Sequence, residues 1–216
     1  MVTNQETTMS RRRILSIDGG GIKGVFPVSF LATIESALGV DSVSNYFDLV
    51  AGTSVGGIIA LGLGLGMNAR DLLEFFNKKA SAIFPTGFIP ASTARFWFGG
   101  ERYSPEPLRR ALHETFGDKT LGDSKVRLLI PSFDATSADI HVYKTRHNPR
   151  LRTDHALKAV DVAMATAAAP TYFPGYDSQH SITLVDGGVW ANNPVGLAVV
   201  EAVSLLGWNG EETDMY

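Results

Sequence analysis

Residues 46–57 read YFDLVAGTSVGG, an apolar run that ends in a serine set between glycines. Gly52-Thr53-Ser54-Val55-Gly56 is a G-x-S-x-G pattern, which exposes a serine hydroxyl on an elbow when it sits where a strand turns sharply into a helix. That context is present: Tyr46–Ala51 has strand character, and Val55–Leu65 reads as a buried helix. A side chain at position 52 or 56 would crowd the turn, and the helix that follows aims its first N–H groups at whatever reacts with Ser54. The same glycines would also suit plain helix–strand packing. By itself the pattern leaves Ser54 either a nucleophile or a small residue at a turn.

On both sides of this stretch, strand and helix signals alternate. Arg13–Asp18 (RILSID) is a short apolar strand, and Val25–Leu38 carries apolar residues at helical spacing and stops before Gly39. Ala69–Ala82 is an amphipathic helix, and Ser104-Pro105-Glu106 supplies an N-cap and first-turn proline for another that runs to about Phe116. Lys125–Ser132 and Asp139–Thr145 are strands, Thr153–Ala168 is an alanine-rich helix, and Ser181–Val185 is a last strand. Asn193-Pro194 then caps a final helix that stops at Gly207. Strands separated by helices predict an α/β fold of three layers, αβα, with a largely parallel central sheet. Residues 1–10 are polar and expected to form a mobile tail, which leaves 11–216 as one domain.

Composition narrows the function. The chain has 216 residues, 44% of them hydrophobic, enough for one full core. A net charge of −3 and a pI near 5.9 give no basic field, so no nucleic-acid polymer is expected as a partner. Cysteine is absent, which excludes disulfides, thiolate metal sites and a cysteine nucleophile, and makes a reducing cytoplasm the natural setting. The arginines after Ser10 imitate a twin-arginine export signal, but the apolar run that should follow ends at Asp18. Leu49–Ala69 is uncharged and contains Gly52-x-x-x-Gly56, yet six glycines make it a poor membrane span, and a buried helix entered through a tight turn is expected instead.

Two further constellations bear on Ser54. Asp18-Gly19-Gly20-Gly21-Ile22-Lys23-Gly24 follows the first strand and opens the first helix, on the carboxyl-end side of the sheet where Ser54 also lies. Its exposed N–H groups would suit the oxyanion of a tetrahedral intermediate or, equally, a phosphate. Gly19-x-Gly21-x-x-Gly24 also satisfies the dinucleotide-binding fingerprint, so a Rossmann-like binding module is the rival reading. Against it, the acid that should end the second strand is missing: Asp48 stands near its start. Asp186-Gly187-Gly188 directly follows the last strand and can project a carboxylate into the same crevice, or merely form an Asp-Gly turn. All five histidines precede Asp186, so an ordered Ser–Asp–His triad cannot use it; Asp177 with His180 would serve such a triad instead.

Taken together, D-G-G-G-I-K-G, then G-T-S-V-G, then D-G-G ahead of V-W-A-N-N-P resembles the patatin-like phospholipases, from Arg13 to about Leu206. The segment Ala168–Pro174 is similar to the one that precedes the family's last catalytic strand. The resemblance implies a lipid acyl hydrolase with a Ser–Asp dyad, needing no metal or cofactor: Ser54 as nucleophile, Asp186 as general base, and Gly19, Gly20 and Gly21 as the oxyanion nest. Gly24, Gly52, Gly56, Gly187 and Gly188 are the remaining motif positions. GIKGVFPVSFLATIE and AGTSVGGIIALGLGLGM are most similar to bacterial phospholipase effectors of cyclic-oligonucleotide antiphage defence. This implies membrane phospholipids as substrate, a cyclic dinucleotide as activator, a capacity to oligomerise, and a cytoplasmic enzyme that is peripheral at the inner membrane when active. Family members often continue well past the final helix, so a C-terminally truncated catalytic domain is expected.

Two segments lie outside the motifs. Residues 83–90 and 95–100 form an aromatic, glycine- and proline-rich excursion suited either to a lipid-touching lid or to an insertion packed on the core. His141–Lys158 is locally basic, and within it Arg146, Arg150 and Arg152 are the candidates for holding an anionic activator.

Overall fold

The computed structural model describes residues 11–83, 102–178, 181–208 and 213–216. The expected tail, most of the aromatic excursion, and His180 lie outside the described residues. Strands β1 (Arg12–Ile17), β2 (Leu49–Gly52) and β3 (Arg127–Asp134) pair in parallel, and β7 (Thr213–Met215) joins β1, also in parallel. Strand β4 (Asp139–Lys144) returns antiparallel along β3, while β6 (Thr183–Asp186) pairs antiparallel with both β3 and the short β5 (Tyr176–Asp177). The sheet therefore has a parallel centre and an antiparallel flank. β5 and β7 have only two and three residues, too short to leave a periodic signal in sequence.

Alternation along the strands divides the core in two, because successive strand residues face opposite sides of a sheet. Leu15, Ile17, Val50, Leu128 and Ile130 face the larger layer. That layer is built from α1 (Val25–Leu38), α2 (Val55–Gly64), α3 (Ala69–Ile83), α4 (Glu106–Phe116) and α5 (Ala159–Thr166). Ile14, Leu49, Ala51 and Leu129 face the other side, against Ala198 and Ala202 of α6 (Val195–Ser204) and Trp208. The expected three layers are present. The predicted helix at Thr153–Ala168 is shorter than expected: Asp154–Ala156 make a separate turn and extended Lys158 bridges to Thr120 before α5 begins.

Helix α2 is buried at all ten positions, as a core helix and not a membrane span requires. Its glycines are the reason it fits. A Cβ at Gly62 would meet the Leu72 side chain and one at Gly64 the Ser124 hydroxyl, so small residues let the helix lie close to its neighbours. On α1, Glu35 is fully buried, and its carboxylate accepts from the backbone N–H of Val43 (3.1 Å), Ala69 (2.8 Å) and Arg70 (3.3 Å), with the Arg70 guanidinium at 3.5 Å. This one side chain fixes α1 to the start of α3. Its loss would strand two buried donors and a part-buried one, so Glu35→Ala is expected to destabilise the fold by about 3 kcal/mol in denaturant titration, with Glu35→Gln milder.

Candidate active site

Ser54 and Asp186 are far apart in sequence and meet because of β3. Strand β4 occupies one edge of β3 from Leu129 to Asp134. On the opposite edge β2 pairs only as far as Leu129, and β6, running the other way, pairs from Ser132 to Asp134. The two strands approach end to end along one edge, and Ser54, just past the end of β2 at Gly52, faces Asp186, the last residue of β6 and opposite Ser132, across the gap. The Ser54 hydroxyl lies near enough to the Asp186 carboxylate to favour its ionised form, and both side chains are buried.

The elbow is strained and tightly braced. Ser54 has φ 56° and ψ −123°, a conformation uncommon for a residue with a Cβ. Its N–H donates to Thr166 Oγ1 (3.0 Å), and that hydroxyl donates to the Pro131 carbonyl (2.6 Å). Thr53 Oγ1 donates to the carbonyl of Ala191 (2.7 Å), which ties the elbow to the chain just beyond the acid. A Cβ at Gly52 would collide with the Gly56 carbonyl, and one at Gly56 with the Ile17 carbonyl, so both glycines are demanded by close backbone approach. Gly24 likewise abuts Val55, and Gly187 abuts the Pro131 carbonyl. Thr53 and Thr166 were not legible as site residues; Thr166 is the single hydroxyl within Ala163–Ala169, the one faint signal.

Two opposed effects act on Asp186. Burial pushes its pKa above the usual aspartate value, while the Ser54 hydroxyl and the Gly188 N–H, 2.7 Å from Oδ1, pull it back; the net direction is upward. The glycine loop adjoins the pair, since a Cβ on Gly19 would lie 3.3 Å from that of Ser54. Here the structure departs from expectation at one position: the Gly19 N–H is committed to the Asn192 carbonyl (3.0 Å) and has no donor to spare for an oxyanion. Among the described residues no protein acceptor is found for the N–H of Gly20 or Gly21. Asn192, missed in the sequence, sits over the loop, and its Oδ1 would be 2.5 Å from a Cβ on Gly19.

Ser54, Asp186 and the three glycines open into one cavity of about 810 Å3. Its walls are apolar: Val55, Ile58, Phe75, Phe76, Leu108 and Phe173. None of the described histidines, 113, 141, 147 and 155, lines it, and neither does Asp177, which accepts from Thr183 Oγ1 (2.7 Å) on β6. Asp48 does not take up the ribose-binding role of a Rossmann acid; its carboxylate accepts from Arg13 N–H (2.9 Å) and Arg12 Nη1 (3.2 Å). Arg146, Arg150 and Arg152 are exposed but stand apart from this site, beyond the end of β4 at the amino end of β3. The other cations of that run are engaged, Lys144 with Glu201 (2.6 Å) and Lys158 with Asp118 (2.8 Å).

The profile described as "Patatin-like phospholipase" matches residues 15–199. The chain belongs to the patatin-like phospholipase family. A "cGAMP-activated phospholipase" of Vibrio cholerae is 42% identical over 195 residues, which cover 84% of this chain and 55% of that protein. A protein of the same name from Escherichia coli is 39% identical over 199 residues, covering 88% and 56%. The chain thus spans little more than half the length of these relatives. Among solved structures, VipD from Legionella pneumophila superposes with a TM-score of 0.58 at 14% identity, covering 94% of this chain and 49% of VipD, which shows a shared patatin-like fold.

In this patatin-like site the buried acid has a measurable signature. Folded Asp186 holds its proton more tightly than an aspartate in the unfolded chain. Its contribution is therefore most favourable in acid and is lost as pH rises through the folded-state pKa. Asp186→Asn, fixed in the neutral form, is expected to melt above the wild type at pH 8, the gap narrowing as pH falls through the raised folded-state pKa and gone by about pH 4 in a series of thermal melts.

Proposed function

We propose that this chain is the catalytic domain of a phospholipase that cleaves acyl esters of membrane lipids by a Ser–Asp dyad under the control of a cyclic dinucleotide. The observation that carries the reading is the juxtaposition of Ser54, on a strained elbow, with the buried Asp186 carboxylate in one apolar-walled cavity. The names of the relatives from V. cholerae and E. coli support the substrate class and the activator.

In this mechanism Asp186 takes the Ser54 proton as Oγ attacks the ester carbonyl carbon. The oxyanion that forms is met by the N–H groups of Gly20 and Gly21, donors worth about 3 kcal/mol each when well placed. Collapse expels the alcohol, which receives the proton from Asp186, and leaves an acyl ester on Ser54. Water then attacks that ester with Asp186 again as base, releasing the fatty acid and returning the proton to Ser54. The upward-shifted pKa of Asp186 makes its carboxylate a stronger base than a solvated aspartate. The enzyme is read as cytoplasmic, peripheral at the inner membrane when active, and able to oligomerise.

Ser54→Ala is expected to lower kcat on a soluble short-chain ester by several orders of magnitude in a folded protein, and Asp186→Asn by a comparable factor. His180→Ala is expected to leave most of the rate. In the wild type, kcat/KM is expected to rise with pH along a limb set by a pKa above the ordinary aspartate range of about 4. A rate retained by Ser54→Ala, or lost in His180→Ala but not in Asp186→Asn, would overturn the dyad.

Control by an activator is tested separately. Arg146, Arg150 and Arg152 offer forked donors suited to phosphate. The intact protein carrying Arg150→Glu and Arg152→Glu is expected to lose stimulation of lipid hydrolysis by a cyclic dinucleotide while keeping its basal esterase rate. Undiminished stimulation in the double variant would remove these arginines from the activator site.

A further inference from the structure

Helix α1 carries an apolar face that the rest of the described protein does not cover. Phe26 is 79% exposed and Phe30 61%, and Ile22, in the turn that leads into the helix, is 47% exposed. Spaced by four residues, the three lie along one side of the helix. Between Lys23 and Glu35 the sequence has no charged residue. Gly21–Leu38 reaches a mean hydropathy of 1.2 over 18 residues, high enough by length and composition for a membrane-crossing helix. Yet its inner face is committed to the fold: Val28, Leu31 and Ala32 are buried, and the Glu35 carboxylate is locked to three backbone N–H groups. A helix anchored in this way cannot insert as a span, but its outer face can lie on an apolar surface.

The position of the face says what that surface is. Ile22 is at once exposed and part of the cavity lining, and Val189 and Tyr172 share both properties. The uncovered apolar strip is therefore continuous with the mouth of the cavity that holds Ser54. Among the described residues the charged side chains lining that cavity are Lys23, Arg102 and the buried Asp186. Arg102 is held at the rim, its guanidinium 5.3 Å from the Tyr103 ring centre and 5.9 Å from that of Tyr172. Apolar residues with two cations around one opening match the chemistry of an anionic bilayer, with acyl chains beneath a negative headgroup layer.

Resting on the lipid-hydrolase reading, we infer that the Ile22–Phe26–Phe30 face of α1 is the surface by which the protein docks on an anionic bilayer. Phe26 and Phe30 enter the acyl boundary, α1 lies in the plane of the membrane, and the cavity mouth is pressed to the lipid from which substrate is drawn.

The test uses the intact protein and vesicles of phosphatidylethanolamine with phosphatidylglycerol, scored by flotation. Phe26→Glu with Phe30→Glu is expected to lower the bound fraction about tenfold or more and to reduce vesicle hydrolysis in parallel, with the rate on a soluble short-chain ester unchanged. In a second variant, Phe26→Trp, vesicle binding should shift the new indole emission to the blue, with quenching by brominated acyl chains. Binding and vesicle hydrolysis unchanged in the double variant would overturn the inference, as would a bound Phe26→Trp protein with no brominated-lipid quenching. A change of oligomeric state or a fall in Tm in the double variant, with vesicle binding intact, would instead assign the face to a second copy or to another part of the protein. Flotation does not depend on catalysis. An intact protein that binds through this face but, supplied with a cyclic dinucleotide, still hydrolyses no ester would refute the lipid-hydrolase reading and leave the docking surface standing.

Discussion

The site depends on two strands that stop against each other. β2 and β6 share one edge of β3 from opposite directions, and the gap between their ends is where Ser54 and Asp186 meet. Everything nearby serves that meeting. Gly52 and Gly56 let the chain turn with backbone against backbone. Thr166 holds the Ser54 N–H and the middle of β3 at once, and Thr53 ties the elbow to the carbonyl of Ala191. A positive φ at a serine costs about 1–3 kcal/mol and persists only where the surroundings over-determine it. The wholly buried α2 and these hydrogen bonds supply that constraint.

Electrostatics at the pair follow from the same packing. Burial raises the energy of the Asp186 carboxylate, and the Ser54 hydroxyl and the Gly188 N–H recover part of it, with the net pKa shift upward. No imidazole adjoins it among the described residues. The cavity has an apolar interior, and among the described residues Lys23 and Arg102 are the cationic side chains that line it. The exposed face of α1 extends the apolar part of that pattern onto the surface, while Glu35 keeps the helix part of the globule.

The basic run after β4 occupies the other end of the sheet. There Lys144 and His147 both reach Glu201 on α6, at 2.6 and 2.7 Å, and the His147 ring also meets the Thr145 hydroxyl. Burial opposes ionisation of Glu201, but these two partners prevail and hold its pKa below the usual value. Helix α6 begins just after Asn192, whose carbonyl takes the Gly19 N–H beside the site. The remote cations and the glycine loop are thus joined through one helix.

The sequence by itself determined the elements that local chemistry dictates. Periodicity placed α1 at Val25–Leu38 with its actual ends, the G-x-S-x-G spacing placed an elbow between strand and helix, and the three glycine motifs in order identified the family. Short pieces escaped, because β5, β7 and the turn at Gly188–Ala191 are shorter than one period of any pattern. Tertiary structure alone decided which partners the motifs would have. That Gly19 spends its N–H on Asn192, that Thr166 braces Ser54 from 112 residues away, and that Arg146–Arg152 fall at the far end of the sheet all depend on strand order and register. Those are non-local pairings, selected by burial of whole faces and edges, and no stretch of chain carries them in its own residues.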